Sequence, residues 1–139
     1  LALAATLAGM EFRIASPPGY ALADADADRI AALGTPPVLV DRPEEAVAGV
    51  DVVYTDVWTS MGQEAEAADR RRAFEGFMVD EALMAAAAED AVFLHCLPAH
   101  RGEEVSHEVL EGPQSRVWRQ AENRMHAARG AVAWILGQV

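Results

Sequence analysis

Short apolar runs alternate with helix-like segments along this chain, and the alternation restricts its possible folds more than any other feature. The runs that predict strands are Glu11–Ala15, Val38–Asp41, Asp51–Asp56 and Ala91–Leu94. The segments that predict helices are Leu1–Leu7, Ala21–Leu33, Glu44–Ala48, Glu64–Phe74, Asp80–Ala88, Glu104–Leu110 and Glu122–Leu136. Strands that alternate with helices favour an α/β fold with a doubly wound, mostly parallel, Rossmann-like sheet.

The order of these segments is unusual at the start of the chain. A doubly wound unit normally opens with a strand, whereas Leu1–Leu7 reads as a helix already under way. We therefore expect a sheet that lacks its first strand and a chain that is a piece of a longer protein. Near the other end, Val117-Trp118 is predicted to be extended, and Met125 and Trp134 on the last helix are predicted to be packing residues.

Composition argues against several classes of partner. The 139 residues include 11 basic and 22 acidic ones, a net charge of −11, so nucleic acid and anionic membranes are not expected partners. No run approaches the ~18 apolar residues that a membrane span requires. Cys96 is the only cysteine, which rules out an intramolecular disulfide and predicts an intracellular, cytoplasmic protein.

Two polar motifs each follow a predicted strand. Asp56 to Gly62, with the sequence Asp-Val-Trp-Thr-Ser-Met-Gly, follows one strand, and His95-Cys96-Leu97-Pro98 follows the last. Ligands of open α/β sheets bind at the carboxyl ends of the strands, so we expect both loops to face one crevice. A carboxylate, a hydroxyl, a thiol and freed backbone carbonyls would meet there, a set that suits a small cationic or amino-bearing ligand.

Taken singly, these residues allow other interpretations. Asp56 alone could be a turn or capping residue, although the hydroxyl and thioether of the following Ser60-Met61-Gly62 suit a polar group on an apolar stem. His95 and Cys96 should point to opposite faces of a strand, which argues against a Cys–His nucleophile. We expect no zinc site, because His95, Cys96 and His100 lack paired ligand spacing.

The backbone after Cys96 and one arginine near the end of the chain also suggest a site. Pro98 predicts an extended Leu97 and leaves the carbonyls of Cys96 and Leu97 without obvious sheet partners. Arg124 is predicted to lie near the start of the last helix, where a structural cation gains nothing from the helix dipole. A surface pair of Arg124 with Glu122 or Glu111 is an equally open interpretation.

Three motifs together resemble one enzyme family. In order and spacing, the ornithine-binding half of ornithine carbamoyltransferases is similar to Val53-Tyr54-Thr55-Asp56-Val57-Trp58-Thr59-Ser60-Met61-Gly62-Gln63-Glu64, Phe93-Leu94-His95-Cys96-Leu97-Pro98 and Ala121-Glu122-Asn123-Arg124. The resemblance implies carbamoyl transfer from carbamoyl phosphate to ornithine, giving citrulline and phosphate, with no cofactor and no metal.

The resemblance also implies roles for six residues. Asp56, Ser60 and Met61 would bind the amino-acid end of ornithine, with Asp56 also near its reactive amine. Cys96 and Leu97 would line the reacting centre beside both substrates. Arg124 would donate to the carbonyl oxygen of carbamoyl phosphate.

The same resemblance implies a division of the chain. Residues 1–118 would form the ornithine-binding domain, and residues 119–139 a helix that packs back on a carbamoyl phosphate domain. The Ser-Thr-Arg-Thr and His-Pro-Thr-Gln segments of that domain are not in this sequence, so we expect the isolated chain to be inactive and the full-length protein to be a homotrimer. An uncovered apolar face with Ala128, Ala131 and Ile135 predicts self-association.

Two alternatives stay open. The first is a transcarbamylase acting on putrescine or a modified ornithine, against which the Ser60-Met61-Gly62 loop argues because the resemblance matches it to a free α-amino acid. The second is a non-catalytic Rossmann-like binding domain. No Gly-x-Gly-x-x-Gly turn supports dinucleotide binding within this sequence.

Overall fold

A computed structural model describes residues 1–138 of the chain as an alternation of parallel strands and helices. The strands are β1 (Arg13–Ala15), β2 (Val38–Val40), β3 (Val52–Thr55) and β4 (Val92–His95). The helices are α1 (Ala2–Leu7), α2 (Asp24–Ala31), α3 (Pro43–Val47), α4 (Ala67–Ala73, after a 3-10 turn at Glu64–Glu66), α5 (Glu81–Met84), α6 (His107–Glu111) and α7 (Val117–Ile135). This order confirms the predicted α/β class.

The strands form two separate parallel pairs with a gap between them. β1 pairs with β2, and β3 pairs with β4. A cavity of about 640 Å³ separates the pairs, and its lining includes Phe12 and Ile14 at β1 and every residue from 52 to 56 at β3. Because consecutive strand residues point to opposite faces, this cavity follows the free edge of β3. The gap therefore lies where a further parallel strand would fit, as expected for a sheet without its first strand.

The principal core lies around β3 and β4 and fixes the position of their ends. Phe93 on β4, Val105 before α6 and Val117 on α7 are completely buried, and Val53 on β3 packs with them. Burying a side chain of the size of phenylalanine contributes about 1.5–3 kcal/mol. This cluster gives the carboxyl ends of the two strands a rigid base.

Two helix starts follow from capping side chains. Asp80 accepts a hydrogen bond from the Leu83 amide (2.8 Å) at the start of α5. Ser106 accepts from the Val109 amide (3.1 Å) at the start of α6. These bonds satisfy amides that have no partner within the helix, so they set where each helix begins.

Tertiary contacts changed two predicted helix boundaries. α5 ends at Met84 rather than Ala88, because the Ala88 amide donates to the Val50 carbonyl (3.0 Å) instead of continuing the helix. The prediction that Val117-Trp118 is extended is wrong, since both residues belong to α7. Valine and tryptophan favour strands as isolated residues, but burial of Val117 in the core as part of a helix overrides that preference.

Most of α7 lies outside the core. Met125 and Trp134, the predicted packing residues, are 53% and 72% exposed, so the described residues do not cover them. Ala128, Ala131 and Ile135 are exposed too, which confirms the predicted uncovered face. Although α7 is long, none of the helices in residues 1–138 combines the length and apolar character needed to cross a membrane.

Candidate active site

The ends of β3 and β4 bring the two sequence motifs together. Thr55 and His95 are register partners, so the next residues, Asp56 and Cys96, leave the sheet side by side. The Cys96 thiol donates a hydrogen bond to Asp56 Oδ1 (3.0 Å). This contact confirms the predicted convergence of the two loops.

The surroundings of Cys96 favour a protonated thiol. Burial raises the pKa of the Cys96 thiol, and the hydrogen bond to Asp56 raises it further, while the neighbouring Tyr54 hydroxyl opposes them. Burial and the neighbouring Cys96 together raise the pKa of Tyr54 to about 12. At neutral pH Cys96 is therefore a hydrogen-bond donor to a carboxylate rather than a thiolate nucleophile.

His95 points away from Cys96 into the core, as predicted from strand alternation. Its Nδ1 accepts from the Leu97 amide (2.9 Å), which leaves Nε2 to donate to Glu104 Oε1 (3.2 Å). The side chains of His95 and Glu104 are both completely buried. Glu104 also accepts from the His100 amide (2.6 Å), so it ties both ends of the loop after β4 to one carboxylate.

The loop conformation differs from the prediction at Leu97. Its φ is +60°, so the residue is left-handed rather than extended, and the prediction based on Pro98 is wrong. The Leu97 amide folds back onto the His95 ring, which closes a tight turn that an extended residue could not make. Left-handed leucines are uncommon, and within the described residues no backbone amide donates to the carbonyls of Cys96 and Leu97.

Arg124 holds one of those carbonyls. Its Nη1 donates to the Cys96 carbonyl oxygen (2.8 Å). It lies seven residues after the first residue of α7, so the prediction that it opens the helix is wrong. Within residues 1–138 it forms no salt bridge with Glu111, which pairs with Arg101 instead (2.5 Å).

The Ser60-Met61-Gly62 loop lies beside this group, and no hydrogen bond joins the two within residues 1–138. The Ser60 amide donates to the Gln63 side chain (3.1 Å), and Gly62 has a φ of +89°, which glycine adopts easily. Ser60 lines the same cavity as Asp56, whereas the side chain of Met61 is 97% exposed. The structure thus brings Asp56, Cys96, Leu97 and Arg124 together, with Ser60 nearby and Met61 in solvent.

Below this loop, aromatic packing anchors its first residues. Trp58 stacks on Phe74 of the segment after α4, with ring centroids 5.7 Å apart. Arg70 donates to the Trp58 carbonyl (3.2 Å) and lies over the Tyr20 ring at 5.2 Å. The loop therefore has a fixed base and an exposed tip.

One cluster in the described chain has the spacing of metal ligands. Ligand atoms of His100, Glu103 and Glu104 lie within 4.8 Å of one another. Glu103 already pairs with Arg71 (2.8 Å), and Glu104 Oε1 accepts the two hydrogen bonds described above. We assign no metal to these residues.

Comparison with known proteins agrees with this arrangement. Residues 1–135 match the family model described as aspartate/ornithine carbamoyltransferase, Asp/Orn binding domain. The chain belongs to this carbamoyltransferase family. An ornithine carbamoyltransferase of Acidothermus cellulolyticus is 52% identical over 140 residues, which cover 98% of this chain and 45% of that protein.

Solved carbamoyltransferase structures share the fold. The ornithine carbamoyltransferase of Pyrococcus furiosus superposes with a TM-score of 0.87 at 44% identity, covering 99% of this chain and 45% of that one. An N-acetyl-L-ornithine transcarbamylase structure gives a TM-score of 0.80 at 30% identity, covering 95% and 42%. The chain thus spans less than half the length of the carbamoyltransferases it matches.

Sequence reasoning missed three residues around the site of this carbamoyltransferase domain. Glu104 looked like an ordinary acid at the start of a predicted helix, and its distance from His95 in an irregular stretch follows no helical or strand period. Tyr54 and Gln120 support the same loop from β3 and α7, with Gln120 accepting from the His95 amide (3.0 Å). Of these three residues, only Tyr54 gave a signal in the sequence. It precedes Asp56 by two residues, and the alternation of a strand places side chains at that spacing on the same face.

Proposed function

We propose that this chain is the ornithine-binding half of an ornithine carbamoyltransferase, which transfers the carbamoyl group of carbamoyl phosphate to the side-chain amine of L-ornithine. The observation that carries the proposal is the group formed by Asp56, Cys96 and Arg124 at the ends of β3 and β4. Relatives named ornithine carbamoyltransferase at 49–52% identity support ornithine as the acceptor.

The chemistry follows from this group. An alkyl amine has a pKa of roughly 10.4, so the ornithine nitrogen must lose a proton before it attacks the carbamoyl carbon. A C–N bond then forms, the bond from carbon to the phosphate oxygen breaks, and phosphate leaves. Asp56 and the Leu97 carbonyl would accept from the amine and orient it, with Cys96 beside them.

Arg124 would stabilise the negative charge that develops on the carbamoyl oxygen. A guanidinium has five N–H donors, and within the described residues only Nη1 is engaged, with the Cys96 carbonyl (2.8 Å). The remaining donors are available to a substrate held next to Cys96. Such preorganised donors contribute most where charge appears in the transition state.

Ser60 and Met61 are proposed to bind the amino-acid end of ornithine. Ser60 follows Asp56 by four residues in the loop after β3, and the loop tip is exposed above an anchored base. Met61 would have to turn inward from its exposed position, and Gly62 gives the backbone freedom to do so.

The rest of the enzyme is proposed to cover two apolar regions of this chain. Residues 1–118 would be the ornithine-binding domain, and residues 119–139 would pack on a carbamoyl phosphate domain. The exposed Trp134 and Ile135 on α7 support this contact. A further strand, supplied by the rest of the protein, would fill the gap between β1 and β3, and the assembled enzyme would be a cytoplasmic homotrimer serving arginine biosynthesis.

A second candidate substrate is a modified ornithine. The structural similarity to an N-acetyl-L-ornithine transcarbamylase favours testing it, since that protein shares the fold at 30% identity. The higher identity to ornithine carbamoyltransferases favours free ornithine.

A fusion protein tests the proposal. The part of the A. cellulolyticus enzyme that precedes its similarity to this chain is joined to Leu1, and citrulline is measured with ornithine, N-acetylornithine and putrescine as acceptors. We expect activity with ornithine, near-complete loss in Asp56→Asn, and retention in the control Asp51→Asn, an exposed position before β3. A folded fusion that prefers another acceptor, or in which Asp56→Asn is fully active, would overturn the proposal.

A further inference from the structure

One edge of β4 changes its hydrogen-bond partner at the point where α7 begins. Residues 114–116 run parallel to β4 just before the helix. The Phe93 amide donates to the Gln114 carbonyl (2.9 Å), and the Arg116 amide donates to the Phe93 carbonyl (2.9 Å). One repeat further along such a parallel ladder, the His95 amide would donate to the Arg116 carbonyl.

The first turn of α7 engages that carbonyl and supplies a substitute for it. The Gln120 amide donates to the Arg116 carbonyl (2.8 Å), a bond that opens the helix. The side chain of Gln120 then provides the oxygen that the strand needs, because its Oε1 accepts from the His95 amide (3.0 Å). Its Nε2 donates to the Tyr54 hydroxyl of β3 (3.5 Å). One side chain therefore ends the ladder and ties the start of α7 to both strands of the pair.

The part of α7 that follows has little support from packing. Val117 is completely buried at the start of the helix, whereas residues 122–130 are all exposed. Within residues 1–138, the side-chain hydrogen bonds from α7 to β4 and the loop after it come from Gln120 and Arg124. Buried Val117 fixes where the helix starts, and the bond of Gln120 fixes its rotation about its own axis.

That rotation determines where Arg124 lies. Arg124 follows Gln120 by one helical turn, so the two side chains lie on the same face of α7. They contact consecutive residues of the strand end, since Gln120 accepts from the His95 amide and Arg124 Nη1 donates to the Cys96 carbonyl (2.8 Å). A helix that turned or slid at Gln120 would carry the guanidinium away from Cys96.

Resting on the proposed carbamoyl transfer, we propose that Gln120 is a positioning residue for Arg124. By accepting from the His95 amide, it holds the start of α7 so that the Arg124 guanidinium lies against the Cys96 carbonyl, beside the position proposed for the carbamoyl oxygen. Gln120 has no place among the reacting atoms. Its effect on the reaction passes through Arg124 and is absent when the guanidinium is absent.

Kinetics of the fusion protein test this role. Gln120→Met removes the acceptor at nearly constant size and should lower kcat about tenfold, with KM for ornithine within about twofold of the original, because the groups proposed to bind ornithine are unchanged. Gln120→Glu keeps an oxygen for the His95 amide and should retain kcat within about threefold. The matched control is Gln114→Met, which removes a bond to the Ala91 carbonyl (3.0 Å) just before β4 and should leave kcat unchanged.

The Arg124→Ala background separates positioning from a general structural role. In that background, adding Gln120→Met should lower kcat by less than about twofold, because residues that act through one group are not additive. A further tenfold loss there would overturn the inference, as would full kcat in the single variant Gln120→Met. If Gln120→Met does not fold, Gln120→Asn, whose amide is one methylene shorter, is used in the same comparison.

A crystal structure of the Gln120→Met fusion gives a readout that needs no activity. The distance from Arg124 Nη1 to the Cys96 carbonyl oxygen, 2.8 Å in the unmodified chain, should exceed the hydrogen-bond limit of about 3.5 Å. A retained contact would overturn the inference and leave the proposed function standing. A folded, unmodified fusion that forms no citrulline would overturn the proposed function, and the same distance would still decide whether Gln120 positions Arg124.

Discussion

Replacing Glu104 by alanine removes the buried acceptor beneath the Cys96-Leu97 turn. Glu104 Oε1 accepts from His95 Nε2 (3.2 Å) and from the His100 amide (2.6 Å), and the first of these donors is completely buried. A buried donor left without a partner costs about 1–3 kcal/mol, and the His100 amide, only partly buried, lies at the lower end of that range. We expect Glu104→Ala to lower the free energy of unfolding by about 2–4 kcal/mol.

Two further variants separate the hydrogen bonds from the charge. Glu104→Gln keeps an oxygen for both donors, and the other oxygen it replaces, Oε2, has no hydrogen-bond partner within the described chain, so a loss of about 1 kcal/mol or less is expected. Glu103→Ala is the matched control, because it removes only a surface pair with Arg71 (2.8 Å), worth about 0–1 kcal/mol.

Urea unfolding followed by tryptophan fluorescence measures all three free energies. The reasoning fails if Glu104→Ala costs no more than Glu103→Ala. It fails equally if Glu104→Gln costs as much as Glu104→Ala, since the retained oxygen would then be irrelevant.

Three other predictions follow from the same geometry. In the fusion protein, Arg124→Ala should reduce turnover about 10²–10³-fold. Arg129→Ala, a change at an exposed position of the same helix, should not reduce it. Near-normal turnover in Arg124→Ala would contradict the proposed role of Arg124. The folded state raises the pKa of Tyr54 from 10.0 to about 12, so its contribution to stability is complete below about pH 10 and is lost as pH rises through about 12. The urea midpoint should fall over that window and fall less in Tyr54→Phe; equal slopes would contradict this. Because of its open strand edges and uncovered α7, the isolated chain should self-associate in sedimentation experiments, and a monomer with a sharp cooperative melt would refute this.

The ends of the strands that carry the site could largely be predicted from local sequence patterns. Val52–Thr55 and Val92–His95 are β-branched or aromatic runs bounded by polar residues, so both strands were predicted within one or two positions. Asp56 and Cys96 each follow such a run directly. Parallel strands place their carboxyl ends at one edge, which made the contact between these two side chains predictable.

The supports of the site were not predictable, because they depend on contacts between distant segments. Gln120 and Arg124 reach the loop only because α7 starts at a buried Val117, where sequence preference alone indicated an extended segment. The left-handed Leu97 follows from its bond to the His95 ring, whereas the local rule for a residue before proline predicted the opposite.

The sequence by itself determined the alternation of strands and helices and the placing of Asp56 and Cys96 at strand ends, because strand and turn preferences are local. Tertiary structure alone decided that Thr55 lies opposite His95 and that Glu104 is the buried acceptor beneath the turn. It also decided that α7 brings Arg124 to the Cys96 carbonyl. These features depend on which surfaces are buried against one another, and burial is a property of the whole fold rather than of any segment.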